Sequence, residues 1–261
     1  MIILEKIYGH QQAFFQKVFA QRLASQFTGI DAHTKVTHDR SRNWIQVEIT
    51  GSDLTVATHY LERRYGIAPE FSALQLPDVL RGKIIDSGKV GYGLYVDVGF
   101  ISQKPIDVLV SLHSLRSQLT DGKKISLKKI INLFCLHNNL PFKVRITNVD
   151  KKKNQVWADL ADEQTNRFRR WLTMHADRVI VLGANLEQIQ HAISASNLQR
   201  DVVKIDELGF LEHSLLCKLG TDAPGIIKTI GQQLPKIPLY TFSPRKIIKT
   251  IGKLYPLTKH S

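Results

Sequence analysis

The chain has 261 residues, a formal net charge of +13 at pH 7 and 43% hydrophobic residues, which is enough for packed cores. Its apolar runs are far too short to span a bilayer, and no basic region precedes the first apolar residues. We therefore expect neither a membrane protein nor a signal peptide. Two cysteines, Cys135 and Cys217, have no partner at C-x-x-C spacing. They indicate buried free thiols in a reducing compartment, so we predict a cytoplasmic protein.

Positive charge is unevenly distributed along the chain. Residues 1–79 carry 8 Lys and Arg against 8 Asp and Glu, residues 80–172 carry 17 against 8, and residues 173–261 carry 11 against 7. The excess therefore lies mainly in the middle of the chain, where a polyanion is expected to bind. The alternative is a basic surface that serves only solubility.

Residues 1–78 show the order strand, helix, strand, strand, helix, strand. The first helix is predicted over 10–27, where apolar residues recur at helical spacing. A second helix begins after Ser52 and ends at Gly66. Ile67 to Leu74 is predicted as a fourth strand that closes the sheet. This βαββαβ order is typical of ferredoxin-like domains.

Five short strands are predicted over 79–162, with a helical insertion at 123–139. The second strand follows a glycine turn and has Leu94, Val96 and Val98 on its inward face. Five strands at this spacing suit an OB-fold barrel. The strands are predicted at 83–85, 94–98, 107–115, 141–150 and 155–160.

Two tyrosines are predicted to face solvent on the second barrel strand. Alternation places Tyr95 and Asp97 on its outer face, and Tyr92 stands at its entrance between Gly91 and Gly93, which let the backbone bend. Aromatic rings on the outside of a curved sheet, with lysines nearby, are what the stacking of nucleic-acid bases requires. The alternative is that one or both rings pack against a neighbouring domain.

This central segment resembles the S1 RNA-binding domain over roughly Leu80 to Leu160. The resemblance rests on a glycine–lysine–isoleucine strand, an aromatic–glycine–x–aromatic–valine strand, a valine–leucine–valine–x–leucine strand and a valine–x–isoleucine–x–x–valine–aspartate strand. It implies that two aromatic residues and nearby cations contact single-stranded RNA. The matching positions are Tyr92, Tyr95, Lys83, Lys143 and Arg145.

A connecting helix is predicted at 163–176, and a second ferredoxin-like βαββαβ domain at 177–261. A C-terminal amphipathic helix begins at Pro244, and its docking onto this last domain is favoured over binding to a membrane surface. The predicted fold class is therefore α+β, with a central five-stranded S1-like OB barrel flanked by two ferredoxin-like domains. The apolar face of the C-terminal helix comprises Ile247, Ile248, Ile251 and Leu254.

As a whole, the layout resembles an uncharacterised family of archaeal proteins in which an S1-like barrel lies between α/β domains. Ferredoxin-like and S1 domains also occur together in a stalk subunit of archaeal and eukaryotic RNA polymerase and in a subunit of a translation initiation factor. The resemblance implies work near RNA, in translation or transcription.

No motif in the sequence indicates catalysis, a cofactor or a metal. There is no phosphate-binding loop, no dinucleotide-binding fingerprint and no histidine pair at metal-binding spacing. Asp97 alone does not make an acid–base pair. The first hypothesis is therefore a non-catalytic RNA-binding protein whose barrel stacks bases on Tyr92 and Tyr95. The cations expected to neutralise phosphates are Lys83, Lys89, Lys143, Arg145, Lys151, Lys152 and Lys153.

The second hypothesis is a protein–protein adaptor in a ribosome- or RNA-polymerase-associated assembly. Ser111 replaces a histidine that is usual in the third strand of S1 domains, and Gln155 replaces an arginine that usually follows the last hairpin. Both departures favour use of the barrel for docking a protein. The N-terminal domain, which is neutral overall, would supply a further docking surface.

Overall fold

A computed structural model of the protein describes residues 1–39 and 41–252. It has an α+β fold with a closed five-stranded barrel in the middle of the chain and a helix-covered sheet on either side, which confirms the predicted fold class. The predicted stripe residue Leu254 lies outside the described residues.

The N-terminal domain is built on an antiparallel sheet of three strands, in the order β1–β3–β2. Phe15, Phe19 and Leu23 recur on one face of the first helix and are buried against this sheet, because their spacing keeps them on one side of the helix. The elements are β1 (Ile2–Lys6), α1 (Gln12–Gln26), β2 (His33–His38), β3 (Trp44–Thr50) and α2 (Leu54–Tyr65).

The predicted fourth strand of this domain, Ile67 to Leu74, is wrong. Ile67 makes a single antiparallel bridge to Ile3, after which the chain leaves the sheet. Pro69 has no N–H to donate to a ladder, and its carbonyl accepts instead from the Ile101 N–H of the barrel domain. A short 3-10 turn follows at Phe71–Ala73. The segment therefore links the two domains.

The barrel strands follow one another in the order β4–β5–β6–β8–β7, and β7 pairs back with β4. The pairing of β6 with β8 is parallel and the others are antiparallel. Inward-facing residues such as Ile84, Val96 and Val110 are fully buried, as the alternation predicts. The strands are β4 (Val79–Ile85), β5 (Gly93–Asp97), β6 (Val108–Ser111), β7 (Pro141–Asp150) and β8 (Gln155–Leu160).

Two helices, α3 (Leu112–Thr120) and α4 (Leu127–Phe134), lie between β6 and β7. The prediction that the third strand continues to Leu115 is therefore wrong. The strand ends at Ser111, whose hydroxyl accepts from the Ser114 N–H at 3.0 Å and caps α3. A side chain that satisfies a free N–H of the first turn favours helix over further strand.

The C-terminal domain has a four-stranded antiparallel sheet in the order β10–β11–β9–β12. Its last helix packs with Ile247 and Ile251 in the same core as Phe134 and Phe168 of the barrel region. The connecting helix α5 (Asp162–Thr173) precedes this domain, whose elements are β9 (Arg178–Leu182), α6 (Leu186–Ala195), β10 (Val202–Glu207), β11 (Glu212–Cys217), α7 (Ala223–Ile230), β12 (Leu239–Phe242) and α8 (Pro244–Ile251).

The first and last domains also share a core. Phe210, in the turn between β10 and β11, is buried among N-terminal-domain residues, with its ring centroid 4.8 Å from that of Phe19 in an edge-to-face arrangement. Since an aromatic ring buries a large apolar area, this contact holds the two outer domains together beside the barrel.

Candidate nucleic-acid interface

Tyr92 and Tyr95 lie together at one end of the barrel, where the β4–β5 connection enters β5. Their ring centroids are 6.3 Å apart with an angle of 85° between the planes, and their hydroxyl oxygens are 2.8 Å apart. The Tyr92 side chain is 56% exposed, whereas Tyr95 is half-buried. The two rings are therefore in edge-to-face contact, and Tyr92 is the more exposed of the two.

The tyrosine pair depends on close backbone packing. A side chain at Gly93 would collide with strand β6, since an added Cβ would lie 2.8 Å from Leu109 Cδ1 and 3.2 Å from Ser111 Cα. The Leu112 N–H donates to the Tyr92 carbonyl at 2.7 Å, so the start of α3 fixes the Tyr92 backbone. The hydrogen bond to Tyr92 and partial burial raise the pKa of Tyr95 to about 12.

Lys83, predicted to contact phosphates, is instead completely buried. Its ammonium group lies 2.9 Å from Glu5 Oε2 of the N-terminal domain and is also ion-paired with Glu212 of the C-terminal domain. Alternation does point it out of the barrel, but the two outer domains cover that face. The prediction that Lys83 contacts RNA is therefore wrong.

Asp97, predicted to face solvent, is also buried beneath the N-terminal domain. Its carboxylate is 2.7 Å from Lys6 Nζ and 2.9 Å from Arg42 Nη1, and it accepts from Trp44 Nε1 at 3.1 Å. Burial lowers the pKa of Lys6, although Asp97 opposes this shift. Asp97 therefore holds two domains together and is not available at a solvent-exposed site.

Two further predicted cations, Lys143 and Arg145, project outward from β7 but are ion-paired with helix α5. Lys143 pairs with Glu163 and Arg145 with Asp162. Both side chains remain about one-third exposed. A phosphate would have to compete with these carboxylates. This competition reduces the contribution that either cation could make to the free energy of RNA binding.

The remaining predicted cations lie at opposite ends of the barrel. Lys89 is in the β4–β5 connection with Tyr92, and its ammonium group is 2.5 Å from Asp86. The strand registers place the β7–β8 hairpin, residues 151–154, at the other end. Lys151 there donates to the Ser72 carbonyl at 2.9 Å, while Lys152 and Lys153 are exposed. The structure therefore brings Tyr92, Tyr95 and Lys89 together and leaves the hairpin lysines apart.

Sequence reasoning missed a buried network at the point where the three domains meet. Tyr8 donates to Glu212 Oε1 at 2.8 Å, and Glu5 accepts from the Phe210 N–H at 3.1 Å. Burial opposes the ionisation of Glu5, but Lys83 and Arg81 outweigh it, so the pKa of Glu5 lies below its ordinary value. Burial raises the pKa of Glu212. The sequence did contain a signal for this network: Glu5 and Glu212 are each the single acidic residue of an otherwise largely apolar strand.

Neither a metal centre nor a membrane span is found in the described parts of the chain. In residues 1–39 and 41–252, no three His, Cys, Asp or Glu side chains come close enough together to hold a metal ion. No helix within these residues has the length and apolarity needed to cross a membrane. Both cysteines are free and buried, and burial raises the pKa of each to about 12.

Comparison with solved structures gives matches to about a third of the chain. The uncharacterised protein MJ1198 of Methanocaldococcus jannaschii aligns with 11% identity and a TM-score of 0.24, covering 34% of this chain and 95% of its own. A protein of vaccinia virus (Wisconsin strain) aligns with 15% identity and a TM-score of 0.24, covering 35% of this chain and 93% of its own. Comparison with curated proteins gives no significant match.

Comparison with protein families matches most of the chain. The DUF2110 N-terminal domain matches residues 1–70, the DUF2110 central domain residues 74–172, and the DUF2110 C-terminal domain residues 176–237. The central match contains the barrel, the N-terminal match contains the three-stranded sheet, and the C-terminal match contains β9, β10 and β11 of the four-stranded sheet. The chain therefore belongs to the DUF2110 family, whose three domains it carries in order.

Proposed function

We propose that this protein is a non-catalytic, cytoplasmic RNA-binding protein of archaeal type, which holds a single strand against the end of its S1-like barrel in translation or transcription. The observation that carries the proposal is the exposed Tyr92 ring, held edge-to-face by Tyr95 on the outside of a closed five-stranded barrel. A rigid, exposed aromatic face is a stacking surface for an unpaired base.

On this proposal the two tyrosines have different roles. Tyr92 carries the stacked base, since its ring is the more exposed, and Tyr95 positions that ring through the contact between their hydroxyls. Lys89 is the cation in the same connection. One or two phosphate contacts follow from this arrangement, so the log–log salt slope should be about −0.7 to −1.4.

The test is binding of a fluorescently labelled single-stranded RNA, followed by anisotropy. Tyr92→Ala should weaken binding by about 1–3 kcal/mol, the usual contribution of one stacked base. Tyr92→Phe keeps the stacking ring but loses the hydroxyl contact with Tyr95, so its affinity should lie between that of the wild type and that of Tyr92→Ala. Phe14→Ala is the matched control, because Phe14 is also an exposed ring (46%) but lies in the N-terminal domain. Equal affinities for Tyr92→Ala and Phe14→Ala would refute the proposal.

A second candidate function is a protein–protein adaptor in a ribosome- or RNA-polymerase-associated assembly. The observation that favours it is that three residues predicted to contact RNA are already ion-paired within the chain. These residues are Lys83, Lys143 and Arg145. Recovery of a protein partner that survives nuclease treatment and high salt would support this function. Loss of all partners on nuclease treatment would exclude it.

A further inference from the structure

A cleft of about 220 Å³ lies where the three domains meet, and neither Tyr92 nor Tyr95 lines it. The N-terminal domain contributes two cations, the barrel two more and helix α5 one, while Glu5 and Glu207 are the acidic residues in its wall. We call it the arginine cleft. The five cations are Arg22, Arg64, Arg81, Lys143 and Arg167.

The carboxylates of the cleft are shared among several cations. Glu207 Oε2 lies 2.8 Å from Arg22 and 3.7 Å from Arg64, so one carboxylate serves two guanidinium groups. Glu5 likewise pairs with Arg81 at 2.6 Å while it also pairs with Lys83. Lys143 is paired with Glu163, so the excess of positive charge in the lining comes from the four arginines set against Glu5 and Glu207.

Arg167 contributes to this excess of positive charge. Its side chain is half-buried in the wall of the cleft, and within residues 1–39 and 41–252 no carboxylate lies within ion-pairing distance of it. Burial lowers the pKa of Arg167, the positive charges of Arg81 and Arg170 lower it further, and the negative charges of Glu163 and Asp206 oppose this shift. A guanidinium stays protonated at neutral pH, so Arg167 carries a charge that, in the described part of the chain, no carboxylate pairs with directly.

Some guanidinium N–H donors in the cleft also have no acceptor within the described part of the chain. Arg22 and Arg81 each donate to their carboxylates through Nη2, and within the described part of the chain their Nε and Nη1 groups have no hydrogen-bond acceptor. A guanidinium has five N–H donors in a planar fork that matches the oxygens of a phosphate. Several such forks lining one recess suit a ligand with more than one negative oxygen.

We propose that the arginine cleft binds a phosphate group, carried either by RNA or by a free nucleotide. Arg64 and Arg167 are the residues whose charges are least compensated, because Arg64 is 3.7 Å from the shared Glu207 and Arg167 has no carboxylate partner in the described part of the chain. A phosphate bound in the cleft would neutralise part of this charge. Because all three domains contribute to the lining, the bound phosphate would also stabilise their arrangement.

The experiment is calorimetric titration of the full chain with three probes: inorganic phosphate, adenosine monophosphate and a short single-stranded RNA. Arg64→Gln/Arg167→Gln should weaken binding of the probes that bind by about tenfold for each guanidinium removed. Arg63→Gln/Lys128→Gln is the charge-matched control, since both residues are exposed and lie outside the cleft. Because Arg64 is 46% exposed, Arg64→Gln alone gives a variant that keeps the fold.

The three probes distinguish the source of the phosphate. Saturable binding of adenosine monophosphate or inorganic phosphate supports a nucleotide site, and binding of the RNA alone, weakened by the double variant, supports contact with an RNA backbone. Tyr92→Ala/Tyr95→Ala should leave the binding of phosphate and nucleotide unchanged, so the two sites can fail separately. The proposal is overturned if no probe binds saturably, or if the double variant binds as tightly as its control.

Discussion

The Lys83 ammonium group and the Glu5 carboxylate, 78 positions apart in the chain, form an ion pair 2.9 Å long from which water is excluded. Glu212 of the C-terminal domain pairs with the same ammonium group, so one lysine joins all three domains. Taking charges out of water is costly, and the cost is offset only while every partner is present.

Lys83→Met should therefore be strongly destabilising. The variant keeps much of the side-chain volume but leaves Glu212 buried with no cationic partner and Glu5 with Arg81 alone, and breaking a buried pair in this way costs about 3–5 kcal/mol. The measurement is urea unfolding, with Lys89→Met as the control because the Lys89–Asp86 pair is exposed. A loss no larger than that of the control would show that the buried pair does not hold the domains together.

Gly209→Ala should disturb the same network from the opposite side. An added Cβ would lie 2.8 Å from Lys83 Nζ, closer than real Cβ contacts, and 3.0 Å from Glu5 Oε2. Both side chains are buried and held in ion pairs, so they cannot swing aside freely, and overpacking at such a site costs about 1–3 kcal/mol. Gly91→Ala is the matched control, since nothing lies within 4 Å of its added Cβ. Equal stability of the two variants in urea would mean that the network can move aside.

The barrel can be predicted from the sequence because the alternation of apolar and polar residues is visible within each strand. Leu94 and Val96 alternate with outward-facing residues, and their burial requires only that the strand have one inner face. The tyrosine pair follows from the same alternation together with Gly93. Helix α3 was missed, since the cap formed by Ser111 competes with continuation of a strand that has the same apolar residues.

The environments of the outward-facing charges could not be predicted in the same way. Alternation shows that Lys83 and Asp97 leave the barrel on its outer face, but it does not show what covers that face. Their partners Glu5 and Lys6 lie on the first strand of another domain. Which residues pair between domains depends on how the domains pack against each other. The periodicity of apolar residues within one strand or helix carries no information about that packing.

His213 should make the protein less stable as the pH falls from about 6.5 to about 4. The side chain is fully buried, and burial lowers its pKa to about 4. An unfolded histidine has a pKa near 6.5, so the unfolded state binds more protons within this window and gains stability as the pH falls. The full difference is about 3 kcal/mol.

His213→Leu should remove this contribution from the pH dependence of urea unfolding between pH 7 and pH 4. His59→Leu is a suitable control, because His59 lies on the exposed side of α2. An equally steep fall in stability for wild type and His213→Leu would assign the acid sensitivity to other groups.

Tyr92→Phe should lower the pKa of Tyr95 from about 12 toward the ordinary tyrosine value of 10.0. The Tyr95 hydroxyl is stabilised in its neutral form by the hydrogen bond to Tyr92, and the substitution removes the oxygen while it keeps the ring. The measurement is an alkaline titration followed by tyrosinate absorbance, with the Tyr95 contribution isolated by subtracting the curve of Tyr95→Phe in each background. Tyr60→Phe, which lies in another domain, should leave the Tyr95 titration unchanged. If Tyr95 still titrates near 12 in Tyr92→Phe, the two hydroxyls are not bonded, and Tyr95 does not position the stacking ring.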